Sequence, residues 1–392
     1  MSPIGPFPGG VVDPEWAARV VSPMHDTIDA ATRRAILASN PWSYLHVTRA
    51  PEEGDDPEAV VEDNAAAFQR LVDAGAFRLT EEPGMYVYRL RTPNHAQTGI
   101  VAEIPMTDFA RGRILGHEEV KADRAAALVR HFSRVPGRSD LVALIHPSDA
   151  EVNDIVKSCC DGDPLLEIGP DDGLEQTLWR LDDAGAIAAI QDRLGEPTLY
   201  ITDGHHRVAA SARLWAECGR PDDLGVLCVL FPAEQMRILA FHRRIAGPLG
   251  PAATLERLRQ RASVEPVQDH PVPRSGTVGL YLSRAWYRLA PRRGGGGAGR
   301  EALDVTWLHE DVLEPVFSVR APDDPRLELV PDLVPLAEVA SRCDADGGVL
   351  FALAPPTLGQ VVEVAERGEV MPPKTTYFDP KPRSGVFLRL AP

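Results

Sequence analysis

The chain has 392 residues, of which 44% are hydrophobic and 25% are charged, a composition typical of a globular protein with a sizeable core. The formal net charge is −16 at pH 7, which disfavours broad binding to nucleic acid because such binding needs clustered Lys and Arg. No stretch approaches the roughly 20 consecutive apolar residues of a membrane span. We therefore expect neither nucleic acid nor a membrane as a partner, and the oligomeric state is unknown at this stage.

The N-terminus and the cysteines both indicate the cellular compartment in which the protein is expected. The opening residues MSPIGPFPGGVVDPEW have neither the basic start nor the apolar stretch that marks a secretory signal. The five cysteines are odd in number and form no Cys-x-x-Cys pair, which suits a reducing environment. The expected location is cytoplasmic.

The N-terminal third begins with a stretch that is rich in Pro and Gly. Residues 1–15 are therefore predicted to be irregular. A helix that ends before Pro41 is followed by a predicted short strand from Tyr44 to Val47. The acidic stretch PEEGDDPEAVVED predicts a loop that enters a helix. The apolar positions that share one face of that helix are Val60, Val61, Phe68, Leu71 and Val72.

The middle of the chain alternates between strand and helix patterns. GMYVYRLRT, TGIVAEIPM and RILG favour strands, a helix is predicted over about residues 121–132, and DLVALIHPS favours a buried strand. LYITDGHHRVAASARLW predicts a strand that turns directly into a helix. LGVLCVLFPA and MRILAFHRRIAG then favour strands again.

The C-terminal third contains a glycine-rich segment, APRRGGGGAGRE, from Ala290 to Glu301. It predicts a flexible surface loop rather than a phosphate loop, because no Gly-Lys-Ser/Thr sequence follows. LDVTWLHEDVLEPVF predicts a helix, and a later helix that buries Leu358 and Val361 ends near Gly368. The interspersed strands and helices indicate a mixed fold, α/β or α+β.

The turn Asp203-Gly204-His205-His206-Arg207 carries the densest set of chemically active side chains. A strand that runs into a helix places free backbone N–H groups and the positive helix end there, which favours anions such as phosphate. Arg207 would add a bidentate donor, and the histidines would add donors or a metal ligand. Asp203 could hold Mg²⁺ or orient a hydroxyl. The alternatives are a zinc site, for which the completing ligands are missing, and a structural corner in which Asp203 caps the helix.

A second candidate is GHEEVKADR, which stands between a predicted strand and a predicted helix. Glu118 could act as a general base in a partly dry cleft, and His117 could pair with a substrate. The alternative is an acidic first helical turn, in which the carboxylates interact favourably with the positive end of the helix dipole. It explains the same residues equally well.

A third candidate is MPPKTTYF. Lys374 with the hydroxyls of Thr375 and Thr376 suits binding of phosphate or of an amino-acid carboxylate, although a plain strand entry is the alternative. In LAFHRRI, His242 and Arg243 follow the aromatic Phe241, which by itself is a weak signal.

Together these motifs resemble the free serine kinases of the ParB/sulfiredoxin-like superfamily. The resemblance rests on an HE pair, then DGHHR after a strand, then an aromatic-bearing strand, then GEVMPPKTT. NPWSYLHVTRAPEE and LDVTWLHEDVLEP resemble the longer bacterial relatives, so the likeness spans about Val20 to Leu390. It implies a ParB/sulfiredoxin-like nucleotide-binding core over residues 101–245, an N-terminal α/β region over 1–100 and a C-terminal α/β domain over 246–392 that holds the PKTT loop.

The resemblance also implies an activity and roles for individual residues. The chain would be a nucleotide-dependent kinase that converts free L-serine to O-phosphoserine, with ATP or ADP as donor and Mg²⁺ as cofactor. Glu118 would take the proton from the serine hydroxyl, and Asp203 would support transfer through Mg²⁺. The residues facing the nucleotide phosphates would be Gly204, His205, His206 and Arg207. The residues at the amino-acid substrate would be His117, Phe241, His242, Lys374, Thr375 and Thr376.

The chain departs from the short kinases at two points. Phe378 stands where they carry a histidine. A longer segment also separates Glu118 from Asp203. Both departures affect the expected identity of the substrate more than the expected phosphoryl transfer. The alternative functions are a ParB-like nucleotide-binding switch, disfavoured by the acidic composition, and a sensor without turnover, disfavoured by the retained Glu118. A redox enzyme of the sulfiredoxin kind would need a cysteine at the turn, which has none.

Overall fold

The structure is a computed structural model of the chain. It describes residues 4–25, 27–169, 173–221, 224–247, 250–270, 273–292 and 297–390. Among them, no helix has both the length and the apolar character needed to span a bilayer. Residues 293–296 of the glycine-rich segment, for which a surface loop was predicted, lie outside the described residues.

Side-chain caps fix where many of the helices begin. Asp29, Asp56 and Asp183, for example, each accept a hydrogen bond from a backbone N–H of the first turn. The helices are α1 (Pro14–Val20), α2 (Ala30–Ser39), α3 (Pro57–Asp73), α4 (Met106–Ala110), α5 (Ala122–Arg134), α6 (Ala150–Cys160), α7 (Ala184–Gly195), α8 (His205–Glu217), α9 (Pro251–Arg261), α10 (Asp304–Trp307), α11 (Glu314–Phe317), α12 (Leu336–Asp346) and α13 (Leu358–Glu366).

The strands alternate with these helices along the chain, so the mixed α/β fold class is confirmed. They are β1 (Gly9–Val12), β2 (Phe77–Leu79), β3 (Met85–Thr92), β4 (His95–Pro105), β5 (Ile114–Leu115), β6 (Gly137–Arg138), β7 (Val142–His146), β8 (Leu166–Ile168), β9 (Glu175–Leu181), β10 (Leu199–Asp203), β11 (Gly225–Pro232), β12 (Ile238–Leu239), β13 (Phe241–Ile245), β14 (Ala262–Val267), β15 (Val278–Leu282), β16 (Ala285–Pro291), β17 (Leu327–Pro331), β18 (Val349–Ala352), β19 (Tyr377–Phe378) and β20 (Phe387–Leu390).

The chain forms two compact units, each assembled from separate stretches. The first contains Met1–Gly116, Val120–Met236 and Pro380–Pro392, and the second contains His117–Glu119 and Arg237–Asp379. These units do not follow the three consecutive regions drawn from the sequence. The reason is strand pairing over long distances, since β20 near the C-terminus pairs with β1 near the N-terminus.

The first unit is built on an eight-stranded mixed sheet, in the order β5-β10-β7-β11-β4-β3-β9-β8, and a four-stranded sheet, β2-β1-β20-β6. Along β11 the apolar side chains alternate between two cores, with Leu227 and Val229 in one and Val226 and Cys228 in the other. Both faces of the large sheet are therefore buried. β10 lies next to the short edge strand β5, which brings the end of β10 to the margin of the sheet.

The second unit contains a six-stranded sheet, β14-β16-β15-β18-β13-β17, and the two-stranded pair β12-β19. Helix α12 packs on β18 through a small core that includes Val339, Cys343 and Leu350. Between α10 and α11 the helix continues as a π-helix, Leu308–Leu313, so the predicted helix over LDVTWLHEDVLEPVF is present with an internal π turn.

Two sequence predictions for the N-terminal region are wrong. Tyr44–His46 is a 3₁₀ helix instead of a strand, because Ser43 accepts the N–H of Leu45 and turns the chain there. The stretch over residues 1–15 contains β1. A Cβ at Gly10 would lie 1.9 Å from the carbonyl oxygen of Arg78, so glycine allows β1 to lie close against β2.

Candidate functional site

The DGHHR turn lies at the end of β10 in the first unit. β10 runs antiparallel to β7, and Asp203 lies opposite Ala143 after a shift in register that follows Ile201. Gly204 is the N-cap residue of α8, and α8 has no side-chain cap. The structural alternative in which Asp203 caps the helix is therefore wrong. The predicted strand-to-helix turn is present at the expected residues.

Gly204 has a left-handed backbone, with φ of 102°. A Cβ at this position would lie 2.9 Å from Nε of Arg207 and 3.1 Å from Cγ2 of Val142. Both the backbone conformation and the lack of space require glycine. The tight turn holds the Arg207 guanidinium close to the start of its own helix.

Asp203 is the centre of a charge cluster. Its Oδ1 pairs with the ammonium of Lys381 and its Oδ2 pairs with the guanidinium of Arg207. Burial alone would raise the pKa of Asp203, but Lys381 and Arg207 outweigh it and hold the pKa well below its usual range. The carboxylate stays ionised and fixes both cations.

The cluster of Asp203, Arg207 and Lys381 contains two cations and one anion. Its net positive charge, at a helix N-terminus, favours an incoming anion and opposes a further cation. Among the described residues, no group of three or more His, Cys, Asp and Glu side chains could hold a metal ion. The residues at Asp203 therefore do not fit a resident Mg²⁺, contrary to the expected metal role of this carboxylate.

The two histidines of the turn have different surroundings. His205 is buried, and a Cβ at Gly116 would lie 2.8 Å from Cδ2 of its ring, so glycine makes room for the imidazole. Nε2 of His206 accepts the backbone N–H of Lys121 at 3.1 Å. This bond ties the start of α8 to the start of α5.

In the second unit, the HE pair and the PKTT loop lie together although they are far apart in the sequence. His117 is fully buried, and its Nε2 lies 3.2 Å from Oγ1 of Thr376. The backbone N–H of Met371 donates to the carbonyl of His117 at 2.8 Å. Phe378 packs beside the His117 ring, with 6.1 Å between centroids.

The PKTT loop is held in shape by a buried arginine. Nη2 of Arg243 donates to the carbonyls of Pro373 and Lys374 at 3.1 and 2.9 Å. Lys374 has a left-handed backbone, with φ of 53°. The Thr375 hydroxyl donates to the carbonyl of Pro372. Burial lowers the pKa of Arg243 to about 10.

Strand alternation decides which residues of β13 face this loop. Phe241 lies beside Lys374, whose ammonium is 5.4 Å from the centre of the aromatic ring. His242 is the next residue, and its ring contacts Asp332 and the backbone N–H of Leu353. These contacts give His242 a structural role, and its substrate role stays a prediction.

Glu118 is exposed. The sequence hypothesis required a partly dry cleft around this carboxylate, and the exposure does not match that condition. Its role as general base stays a prediction.

The sequence analysis missed Lys381, and it noted Arg243 beside Phe241 without finding its role at the PKTT loop. Both act through partners that are distant in the sequence. One feature of the sequence could have drawn attention to Lys381. The chain contains only four lysines, and two of them, Lys374 and Lys381, lie close together near the C-terminus.

Residues 4–312 match the family described as "Protein of unknown function (DUF1015)". This match covers more than three quarters of the chain. The chain belongs to the DUF1015 family. The HE pair and the DGHHR turn lie inside the segment that matches DUF1015, whereas the PKTT loop and Lys381 follow it.

Solved structures to which the chain is similar include a free serine kinase variant in complex with ADP, which is 17% identical, with 73% of this chain and 91% of that chain covered and a TM-score of 0.39. A conserved hypothetical protein from Pyrococcus furiosus is 14% identical over 73% and 94% of the chains, with a TM-score of 0.37. SbnI with a C-terminal truncation from Staphylococcus aureus is 12% identical over 74% and 87%, with a TM-score of 0.40. No curated protein sequence matches the DUF1015 chain.

We expect Gly204→Ala to destabilise the protein more than Gly219→Ala. Both positions have positive φ, so both substitutions impose backbone strain of about 1 kcal/mol. Only at Gly204 would the new Cβ also meet side chains, since nothing lies within 4 Å of a Cβ at Gly219. The free energy of unfolding in urea measures the difference, and equal losses would contradict the crowding at the turn.

The ion pairs of Asp203 predict a defined pH dependence. Because the folded-state pKa lies below the unfolded value, the stabilisation is present above about pH 4 and is lost as the pH falls towards the folded-state pKa. We expect the gap in urea midpoint between wild type and Asp203→Asn to be large at pH 7 and to shrink at pH 3. Asp163→Asn, at an exposed loop position, is the control. A gap of the same size at both pH values would overturn this assignment.

Proposed function

We propose that this DUF1015 protein is a nucleotide-dependent kinase that phosphorylates the hydroxyl of free L-serine or a close hydroxy-amino acid. The donor would be ATP or ADP. The observation that carries the proposal is the cluster of Asp203, Arg207 and Lys381 at the N-terminus of α8.

This cluster suits the phosphates of a nucleotide for three reasons. The first turn of α8 has no side-chain cap, so backbone N–H groups there can donate to phosphate oxygens. Arg207 and Lys381 supply two fixed positive charges. Gly204 brings no side chain into the space above the helix start.

The second unit offers groups that suit a small hydroxy-amino acid. The ammonium of Lys374 could bind a carboxylate, and the hydroxyl of Thr376 beside His117 could bind a polar substrate group. Arg243 fixes the loop that carries both residues. Phe241 supplies an apolar wall next to Lys374.

In the proposed reaction, the acceptor hydroxyl oxygen forms a bond to the terminal phosphorus and the bond to the nucleotide's bridging oxygen breaks. Glu118 takes the hydroxyl proton. Arg207 and Lys381 stabilise the charge on the transferred group and on the leaving nucleotide. No step is assigned to Mg²⁺, because the residues around Asp203 do not fit it.

The experiment is a mass-spectrometric assay of the purified protein with Mg²⁺, ATP or ADP, and a pool of free hydroxy-amino acids. We expect a phosphorylated amino acid with one of the donors. Glu118→Gln should lower turnover at least 100-fold because general-base catalysis typically contributes about 10²–10⁴. Glu119→Gln, a neighbouring exposed carboxylate, should retain the wild-type rate and is the matched control.

Either of two results would contradict the proposal. A Glu118→Gln variant that turns over at the wild-type rate would remove Glu118 from the mechanism. The absence of product with every donor, in folded protein that binds nucleotide, would instead support the nucleotide-binding switch or sensor.

A further inference from the structure

A cavity of about 80 Å³ lies in the first unit along one side of α8. Arg207 and Ser211 of α8 form one wall. Phe132 near the end of α5, Arg138 in β6 and Thr48 also line the cavity. Apart from Arg207, none of these residues was assigned a role by the sequence analysis.

Arg138 is a positive charge without a carboxylate partner among the described residues. Its guanidinium donates to the carbonyls of Val135 and Phe132 at 2.9 and 2.8 Å. It also lies 4.1 Å from the centre of the Phe132 ring. Asp140 lines the same cavity and accepts a hydrogen bond from Ser384.

The charged neighbour that affects Arg138 most is another arginine, Arg389. Arg389 is held by Glu103 through two hydrogen bonds of 2.6 and 2.8 Å, and it repels Arg138. Burial and then Arg389 lower the pKa of Arg138 to about 10, which still leaves it charged at neutral pH. Burial lowers the pKa of His131 to about 4, so this ring adds no charge. A partly buried cation in such surroundings is costly unless an anion pairs with it.

Thr48 supplies an independent observation. Its Oγ1 is buried and has no hydrogen-bond partner among the described residues, and Thr48 lines the same cavity. Buried hydroxyls without a partner are uncommon, because no hydrogen bond within the protein then replaces those lost to water. A cation without a carboxylate partner and a hydroxyl without a hydrogen-bond partner therefore adjoin the same space.

We propose that this cavity binds a phosphate-class anion, held by Arg138 and Thr48 beside Arg207. Two guanidinium groups and a hydroxyl around one space match the several acceptor oxygens of a phosphate. The anion is either a phosphate of the nucleotide or a separate phosphate. The inference goes beyond the proposed kinase function, since binding here requires no turnover.

The test is calorimetric titration of the full chain with inorganic phosphate and with ADP. We expect Arg138→Met to weaken phosphate or ADP binding at least ten-fold, and Thr48→Val to weaken it several-fold. Arg134→Met is the matched control, because Arg134 is an exposed arginine of α5 that pairs with Glu62. It should bind like the wild type.

The arms of the experiment separate the two sources of phosphate. If saturating ADP abolishes the binding of inorganic phosphate, the cavity holds a phosphate of the nucleotide. If inorganic phosphate still binds with unchanged affinity, the cavity holds a separate phosphate. Wild-type affinity for both ligands in Thr48→Val and Arg138→Met would overturn the proposal, and Thr48→Val alone decides if the arginine variant fails to fold. Failure of the kinase proposal appears separately, as absence of phosphorylated amino acid in protein that still binds phosphate.

Discussion

The buried carboxylate of Asp203 is the constraint on which the candidate site depends. A charge in that position is tolerated only when cations pair with it, and Arg207 and Lys381 both do so. Lys381 comes from a segment 178 residues later in the chain, so one carboxylate joins the end of β10 to the C-terminal region. The left-handed Gly204 then places Arg207 against the same carboxylate. One buried charge thus orients two positive groups at the start of α8.

The C-terminal segment contributes to both units. Residues of the PKTT loop belong to the second unit, where Thr376 meets His117 and Arg243 holds the loop backbone. A few residues later, Lys381 belongs to the first unit and pairs with Asp203. The sequence from Pro372 to Lys381 therefore supplies groups to the proposed acceptor residues and to the proposed phosphate residues.

The parts of the fold and site that depend on local pattern could be predicted from the sequence. The mixed fold and the turn from β10 into α8 follow from apolar periodicity and from Gly204. The roles of Lys381 and Arg243 could not be predicted, because each acts on a partner more than 100 residues away. The strand β1 was missed for a related reason: Gly9 and Gly10 suggested irregular chain, whereas they allow close approach to β2 and β20. The contacts of His242 with Asp332 and Leu353 could not be predicted either, because they depend on which segments lie next to β13.

The most direct test of the central claim is the affinity of the full chain for ADP, measured by calorimetry in wild type, Arg207→Met and Arg213→Met. Arg213 lies on the exposed side of the same helix and pairs with Glu217, so it is the matched control. If the cluster at Asp203 binds nucleotide phosphates, Arg207→Met weakens ADP binding at least ten-fold and Arg213→Met leaves it unchanged. Equal affinity in all three proteins, or no ADP binding by the folded wild type, would contradict the account.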